Sequence, residues 1–158
     1  MDNLQKIDKP VAYDLPTDIK EGIALVLPER VNADNVALYT QESMEIFKEI
    51  RTHEDVEVTY LETQGGRKWI DRLGAGDVTV VTIIFALSTN LISNAIWAAI
   101  QKFADQRSGK KNLRVKITVA NQNPDLAWTW YEFEGSAKEV SNLARRVIDE
   151  QSQKDQKA

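Results

Sequence analysis

The chain has 158 residues, 42% of them hydrophobic and 28% charged, with a formal net charge of −4, a pI near 5.1 and no cysteine. That length supports one ordinary domain with its own core, and the composition is that of a globular chain. Mild acidity argues against a nucleic-acid grip, which needs clustered Lys and Arg, and the missing cysteines exclude disulfides, thiolate nucleophiles and Cys-based zinc sites.

Residues 1–20, MDNLQKIDKPVAYDLPTDIK, hold two prolines and mixed charge and predict an extended arm. The basic n-region and apolar h-region of a secretory signal are lacking, so a cytoplasmic location is expected. EGIALVLPER follows. Its Ile23, Ala24, Leu25, Val26 and Leu27 are apolar without alternation, as in a strand buried on both faces, and Pro28 ends it. Val36, Tyr39, Ile46, Phe47 and Ile50 fall near a helical period and predict a helix over about 34–52, capped by Asn32 or Asp34. VEVTYLET alternates and predicts a second strand, with QGG at 64–66 turning the chain after it. Strand, helix and strand at this spacing imply a right-handed parallel crossover.

RKWIDRL at 67–73 predicts a short helix carrying Trp69, Ile70 and Leu73 on one side, and GAGD breaks the chain. Residues 78–101, VTVVTIIFALSTNLISNAIWAAIQ, then run for 24 positions without a charge. The length suits a membrane span, and membrane association through this segment is one alternative function. Against it, Thr82, Thr89, Asn90, Ser93, Trp97 and Gln101 form a polar stripe at three- and four-residue steps. The flanks also show no positive-inside asymmetry, with Arg67, Lys68 and Arg72 before the run and Lys102, Arg107, Lys110 and Lys111 after it. We expect one long, mostly buried helix over about 79–106. The β-branched VTVVTIIF also admits a strand, with STN turning into a helix at about 90–107.

LRVKITVA alternates, NQNPD is a turn and LAWTWYEFE is a further strand, so 113–134 predicts a hairpin. GSAKEV opens the last helix with a capping box in which the Ser136 hydroxyl bonds the Glu139 amide and the Glu139 carboxylate reaches back. Ala137, Val140, Leu143, Ala144, Val147 and Ile148 are its apolar stripe, and residues 151–158 are expected to be a disordered polar tail. The sum is a single α/β domain over 21–150. It has a mixed sheet built from β-α-β, a long apolar helix, a β-hairpin and a C-terminal helix.

Catalytic patterns are sparse. His53 is the only histidine, lies in RTHEDVEV and matches no metal-ligand spacing; a polar group near a helix C-terminus explains it. QGGRK and GAGD match neither phosphate-binding glycine motif, and no serine lies in a nucleophile elbow. Asp71, Asp77, Glu132 and Glu134 read as solvated charge, and a carboxylate-dependent hydrolase is only a minor alternative. No catalytic residue, metal or cofactor is expected. The unusual composition is aromatic. Trp128 and Trp130 share one face of WTWYEF, with Tyr131 and Phe133 on the other. Burial on both faces of a central strand explains this, and so does a contact surface, because exposed Trp and Tyr anchor partners. The candidate partner-binding residues are Trp69, Asn90, Asn94, Trp97, Trp128, Trp130 and Tyr131.

Residues 69–150 run WIDRL, VTVVTIIFALSTNLISNAIWAAIQKF, LRVKITVA and WTWYEFEGSAKEVSNLARRVI. This order resembles the small effector-associated domains of bacterial conflict and defence systems, of the constant component type. The resemblance covers about half the chain and carries over no functional residue. It implies a noncatalytic adaptor, regulatory subunit or effector partner whose ligand is another protein, and the acidic balance of the chain argues that no nucleic acid is involved.

Overall fold

Residues that are apolar in unbroken runs need cover on two sides, and the architecture supplies both. The computed structural model describes residues 5–157 apart from 10, 18, 21, 55, 71–77, 87–89, 110–112 and 123–127. In chain order the elements are β1 (Gln5–Ile7), β2 (Ile23–Val26), β3 (Arg30–Val31), β4 (Ala37–Thr40), α1 (Gln41–Arg51), β5 (Glu57–Tyr60), β6 (Arg67–Ile70), β7 (Val78–Ala86), α2 (Asn90–Asp105), β8 (Arg114–Gln122), β9 (Trp128–Ser136) and α3 (Ala137–Lys157). A six-stranded sheet has the order β1-β9-β8-β7-β2-β5, and a small second sheet has the order β3-β4-β6. In the large sheet β2 and β5 run parallel, as do β7 and β8, while β2 with β7, β8 with β9 and β1 with β9 are antiparallel. The result is a mixed α/β domain, as the sequence implies.

All three helices cover one face of the large sheet. Val26, Val81, Ile83, Ile117 and Phe133 of the strands meet Ile46 and Ile50 of α1, Ile96, Ile100 and Phe103 of α2, and Val140, Leu143 and Val147 of α3. The opposite face carries Leu25, Leu27, Ile84, Ala120 and Trp130. Here the N-terminal arm is the cover, laying Ile7, Val11, Tyr13, Leu15 and Ile19 across the strands. The first strand of the arm, β1, pairs with β9.

The uncharged run 78–101 divides between two elements. Its first part is the strand β7 and its second part the front of α2, so the expected helix from 79 to 106 is corrected to the strand–helix alternative. Two physical reasons decide it. Val, Ile and Thr are stiff at χ1 and favour strands, and β7 is buried on both faces, with Ile83 toward the helices and Ile84 toward the arm. A doubly buried strand next to a buried helix is enough to make a long uncharged run. No helix among the described residues is long and apolar enough to cross a membrane.

Three boundaries also move. The predicted helix over 34–52 begins only at Gln41, because Val36 and Tyr39 owe their spacing to a turn and to β4. Thr40 is its N-cap, accepting from the Ser43 amide at 3.3 Å. Asn32 instead accepts from the amides of Asp34 and Val36 in a tight turn where Asn35 has φ 60°. Gly65 packs on that turn so closely that a side chain would meet the Asp34 carbonyl oxygen at 2.5 Å. RKWI at 67–70 is a strand and not the start of a helix, since it pairs in parallel with β4; residues 71–73 of that prediction lie outside the described residues. Finally, α3 continues to Lys157 through most of the tail expected to be disordered. Gln, Lys and Asp without Gly or Pro give the helix no stop signal.

The β2/β5 parallel pair and the β8/β9 hairpin stand where the sequence places them. So does the capping box: the Glu139 amide donates to Ser136 Oγ at 3.1 Å, and the Ser136 amide donates to Glu139 Oε1 at 3.1 Å. The Ser136 backbone amide, then its hydroxyl, hold the Glu139 carboxyl below its ordinary pKa. A carboxyl depressed on folding contributes stability above its unfolded pKa and loses it as pH falls through the folded value. Ser136→Ala is therefore expected to cost about 1 kcal/mol at neutral pH. In urea titrations, the deficit of Glu139→Gln should shrink once the pH drops below the ordinary glutamate range; a constant deficit would contradict the assignment.

Candidate interaction surface

The small sheet is fastened to the large one through Tyr39. Its ring is fully buried. Its hydroxyl donates to the Val26 carbonyl of β2 at 3.0 Å and accepts from the Leu61 amide, just past β5, at 2.9 Å. Burial raises its pKa, outweighing the lowering by the Leu61 hydrogen bond and by Arg67, so the phenol stays neutral and can serve as both donor and acceptor.

Around Tyr39 the aromatic rings stack outward. Tyr60 lies edge-on to it at 4.8 Å, Phe47 of α1 stacks on Tyr60 at 4.1 Å with an interplanar angle of 5°, and Trp69 of β6 sits 5.6 Å from Tyr60 and 5.8 Å from Tyr39. Such rings gain from edge-on and offset contacts beyond simple burial. Two guanidinium groups cap the pile. Arg67 lies 4.5 Å over the Tyr60 ring and Arg51 lies 5.9 Å from the Phe47 ring. Strand geometry explains one pairing: Arg67 and Trp69 are two residues apart and project from the same face.

Trp69 ends the pile at the surface. It is 47% exposed and is the one exposed large hydrophobic side chain among the described residues. Beside it a cavity of about 240 Å³ opens between β6 and the first turn of α1, lined by Gln41, Met44, Trp69 and Ile70. Trp69, Ile70 and Met44 around this cavity are suited to holding an apolar side chain of a partner. They offer no nucleophile and base in reach of one another.

The other six sequence candidates are scattered. Trp97 is 5% exposed within the helix-side core and Trp130 is 4% exposed under the arm, so neither presents an indole to a partner. Trp128 is half-buried with its ring 6.4 Å from that of Trp130. Tyr131 is half-buried on β9, opposite Val119 and Lys6. Asn94 is half-buried on α2 with no hydrogen-bond partner at its Oδ1 among the described residues, and Asn90 is the first residue of the same helix. Reading the sequence picks out Trp69 but misses Tyr39, Met44, Phe47, Arg51, Tyr60 and Arg67. Arg67-Lys68-Trp69-Ile70 shows no polar–apolar alternation, so nothing in the chain marks it as the strand that puts Arg67 and Trp69 on one face.

Elsewhere the polar chemistry is structural. Arg107, in the turn after α2, pairs with Glu45 of α1, donates to the Phe103 carbonyl at 3.0 Å and stacks 3.7 Å over the Phe103 ring. Lys102 approaches Glu49 at 3.5 Å, and Ser141 of α3 donates to Asp105. His53 follows the C-terminus of α1, its amide donating to the Ile50 carbonyl at 3.0 Å, as its helix-end reading implies. Cavities of about 370 and 350 Å³ flank Tyr13, whose hydroxyl donates to the Pro28 carbonyl at 2.7 Å. Among the described residues no three His, Cys, Asp or Glu side chains gather to hold a metal.

Compared with known proteins, the chain matches no family model. It likewise matches no curated protein and no solved structure.

Because the Tyr39 hydroxyl serves two buried backbone groups, Tyr39→Phe is expected to destabilise the chain by about 1–3 kcal/mol. Chemical denaturation checks the size. Amide hydrogen exchange checks the place, with Leu61 losing protection; an unchanged Leu61 would remove Tyr39 from its tethering role.

Proposed function

We propose that this chain is a noncatalytic protein-interaction module, an adaptor, regulatory subunit or effector partner, and that the Trp69 surface is where it meets its partner. The observation that carries the reading is the exposed Trp69 indole, held in place by Tyr39 and Tyr60 beside the cavity at Gln41 and Met44. Trp, Tyr and Arg dominate binding hot spots, and a rigid aromatic loses little entropy on contact. The resemblance of residues 69–150 to effector-associated domains supplies the setting: a bacterial defence system, in the cytoplasm, with an effector as the neighbour.

A photo-crosslinking amino acid placed at position 69, in cells that make the protein, is expected to give one discrete adduct. The same group at the exposed Lys138 of α3 should give none. Trp69→Ala, with an unchanged circular dichroism spectrum, should weaken the captured complex by about 2 kcal/mol, roughly thirtyfold in Kd. Equal labelling from both positions, or full affinity in Trp69→Ala, would defeat the proposal.

A further inference from the structure

The small sheet ends on β6, and the backbone of β6 defines what its open side can accept. Ala37 stands opposite Arg67, and its amide donates to the Gly66 carbonyl at 2.9 Å. In that parallel register Lys68 and Ile70 turn their backbone groups toward β4, while those of Arg67 and Trp69 turn outward. No described residue pairs with this outer edge. It therefore offers two amide donors and two carbonyl acceptors in strand spacing, beside an exposed indole and the small cavity at Met44. An open strand edge is a ready template for another extended chain.

Charge decides which chain. Arg67 and Lys68 are both exposed on β6, and Arg51 borders the same aromatic pile. Among the described residues Arg67 has one carboxylate near it, Glu62 at 3.7 Å, with both side chains exposed at 43% and 85%; such a pair is weak and easily exchanged. A second copy of this chain is a poor occupant. Antiparallel self-pairing through the outward groups of Arg67 and Trp69 would centre on Lys68 and lay it opposite its own counterpart, and like charges directly opposed destabilise a strand pair. A carboxylate at that position does the reverse.

Resting on the reading of the Trp69 surface as the contact site, we propose that β6 docks an extended acidic segment of a partner protein. The segment adds a fourth strand to the small sheet, opposes its carboxylates to Lys68 on one face, and on the other face, which Arg67 and Trp69 share, places an apolar side chain between Trp69 and Met44.

The test uses the full chain and short fluorescent peptides of alternating Glu with Val or Leu, read by polarisation. The Glu peptide is expected to bind, and a counterpart with Lys for Glu to bind at least roughly tenfold more weakly. Lys68→Glu should reverse that order. Methylating every second backbone nitrogen of the Glu peptide should abolish binding for one alternate set and spare it for the other, because strand addition uses one edge only. Equal binding of the Glu and Lys peptides, or tolerance of both methylated sets, overturns the proposal. A dimer that falls apart in Trp69→Ala also overturns it and gives the edge to a second copy. If position 69 still crosslinks to a protein while no peptide binds, the interaction-module reading stands and strand addition alone fails. If neither occurs, both fall.

Discussion

One hydroxyl group holds the two sheets of this chain in register. The small sheet β3-β4-β6 shares no strand with the large one, and the Tyr39 hydroxyl bridges the two. That oxygen accepts a hydrogen bond from the Leu61 amide, and its hydroxyl donates one to the Val26 carbonyl. Both backbone groups would otherwise be buried without that partner, which makes the tyrosine hard to replace. With Tyr39 fixed, Tyr60 and Trp69 have a rigid surface to lean on, and Phe47 closes the stack from α1. The exposed indole is thus the outermost member of a buried stack. Its rotamer freedom is limited before any partner arrives, which lowers the entropic cost of binding.

Cover on both faces of the large sheet explains much of the remaining sequence. Helices seal one side; the arm seals the other with Val11, Tyr13 and Leu15, pinned by the Tyr13 hydroxyl on the Pro28 carbonyl. An arm made of prolines and mixed charge contributes cover through a few spaced apolar side chains rather than through a helix. It leaves β2, β7 and β8 with apolar groups on both faces. Two of the four tryptophans, Trp97 and Trp130, are consumed in this way, one on each side.

Legibility in the sequence followed the strength of local signals. The capping box at Ser136 and Glu139 and the alternation of LRVKITVA involve neighbours in the chain, and both could be read directly. The segments that misled are short, or apolar on every side. Four residues of β4 carry too few positions to separate a strand from the first turn of a helix, and Tyr39 falls on both periods. In β7 the alternation that marks a strand is erased by burial on both faces. RKWI has helix-compatible composition, and only its pairing with β4, some thirty residues upstream, makes it a strand. The candidate site was legible as a residue, Trp69, but not as a surface. Its other members come from β4, α1, β5 and β6, and no spacing in the chain announces that they meet.

The character of β6 follows from its place at an edge. A long apolar strand there would invite indiscriminate pairing, and short, charged edges are how native sheets avoid it. Four residues with Arg67 and Lys68 among them fit that defence. Yet a strand meant only to be shielded has no need of an exposed tryptophan, and Trp69 exceeds what the stack requires, since Tyr60 already covers Tyr39 and Phe47 already covers Tyr60. Charge that repels like chains combined with an indole that attracts an apolar side chain is a selective filter: it raises the cost of self-association while leaving the edge open to a strand of opposite charge. The same four residues therefore carry both the protection of the sheet and the means of recognition that we propose for it.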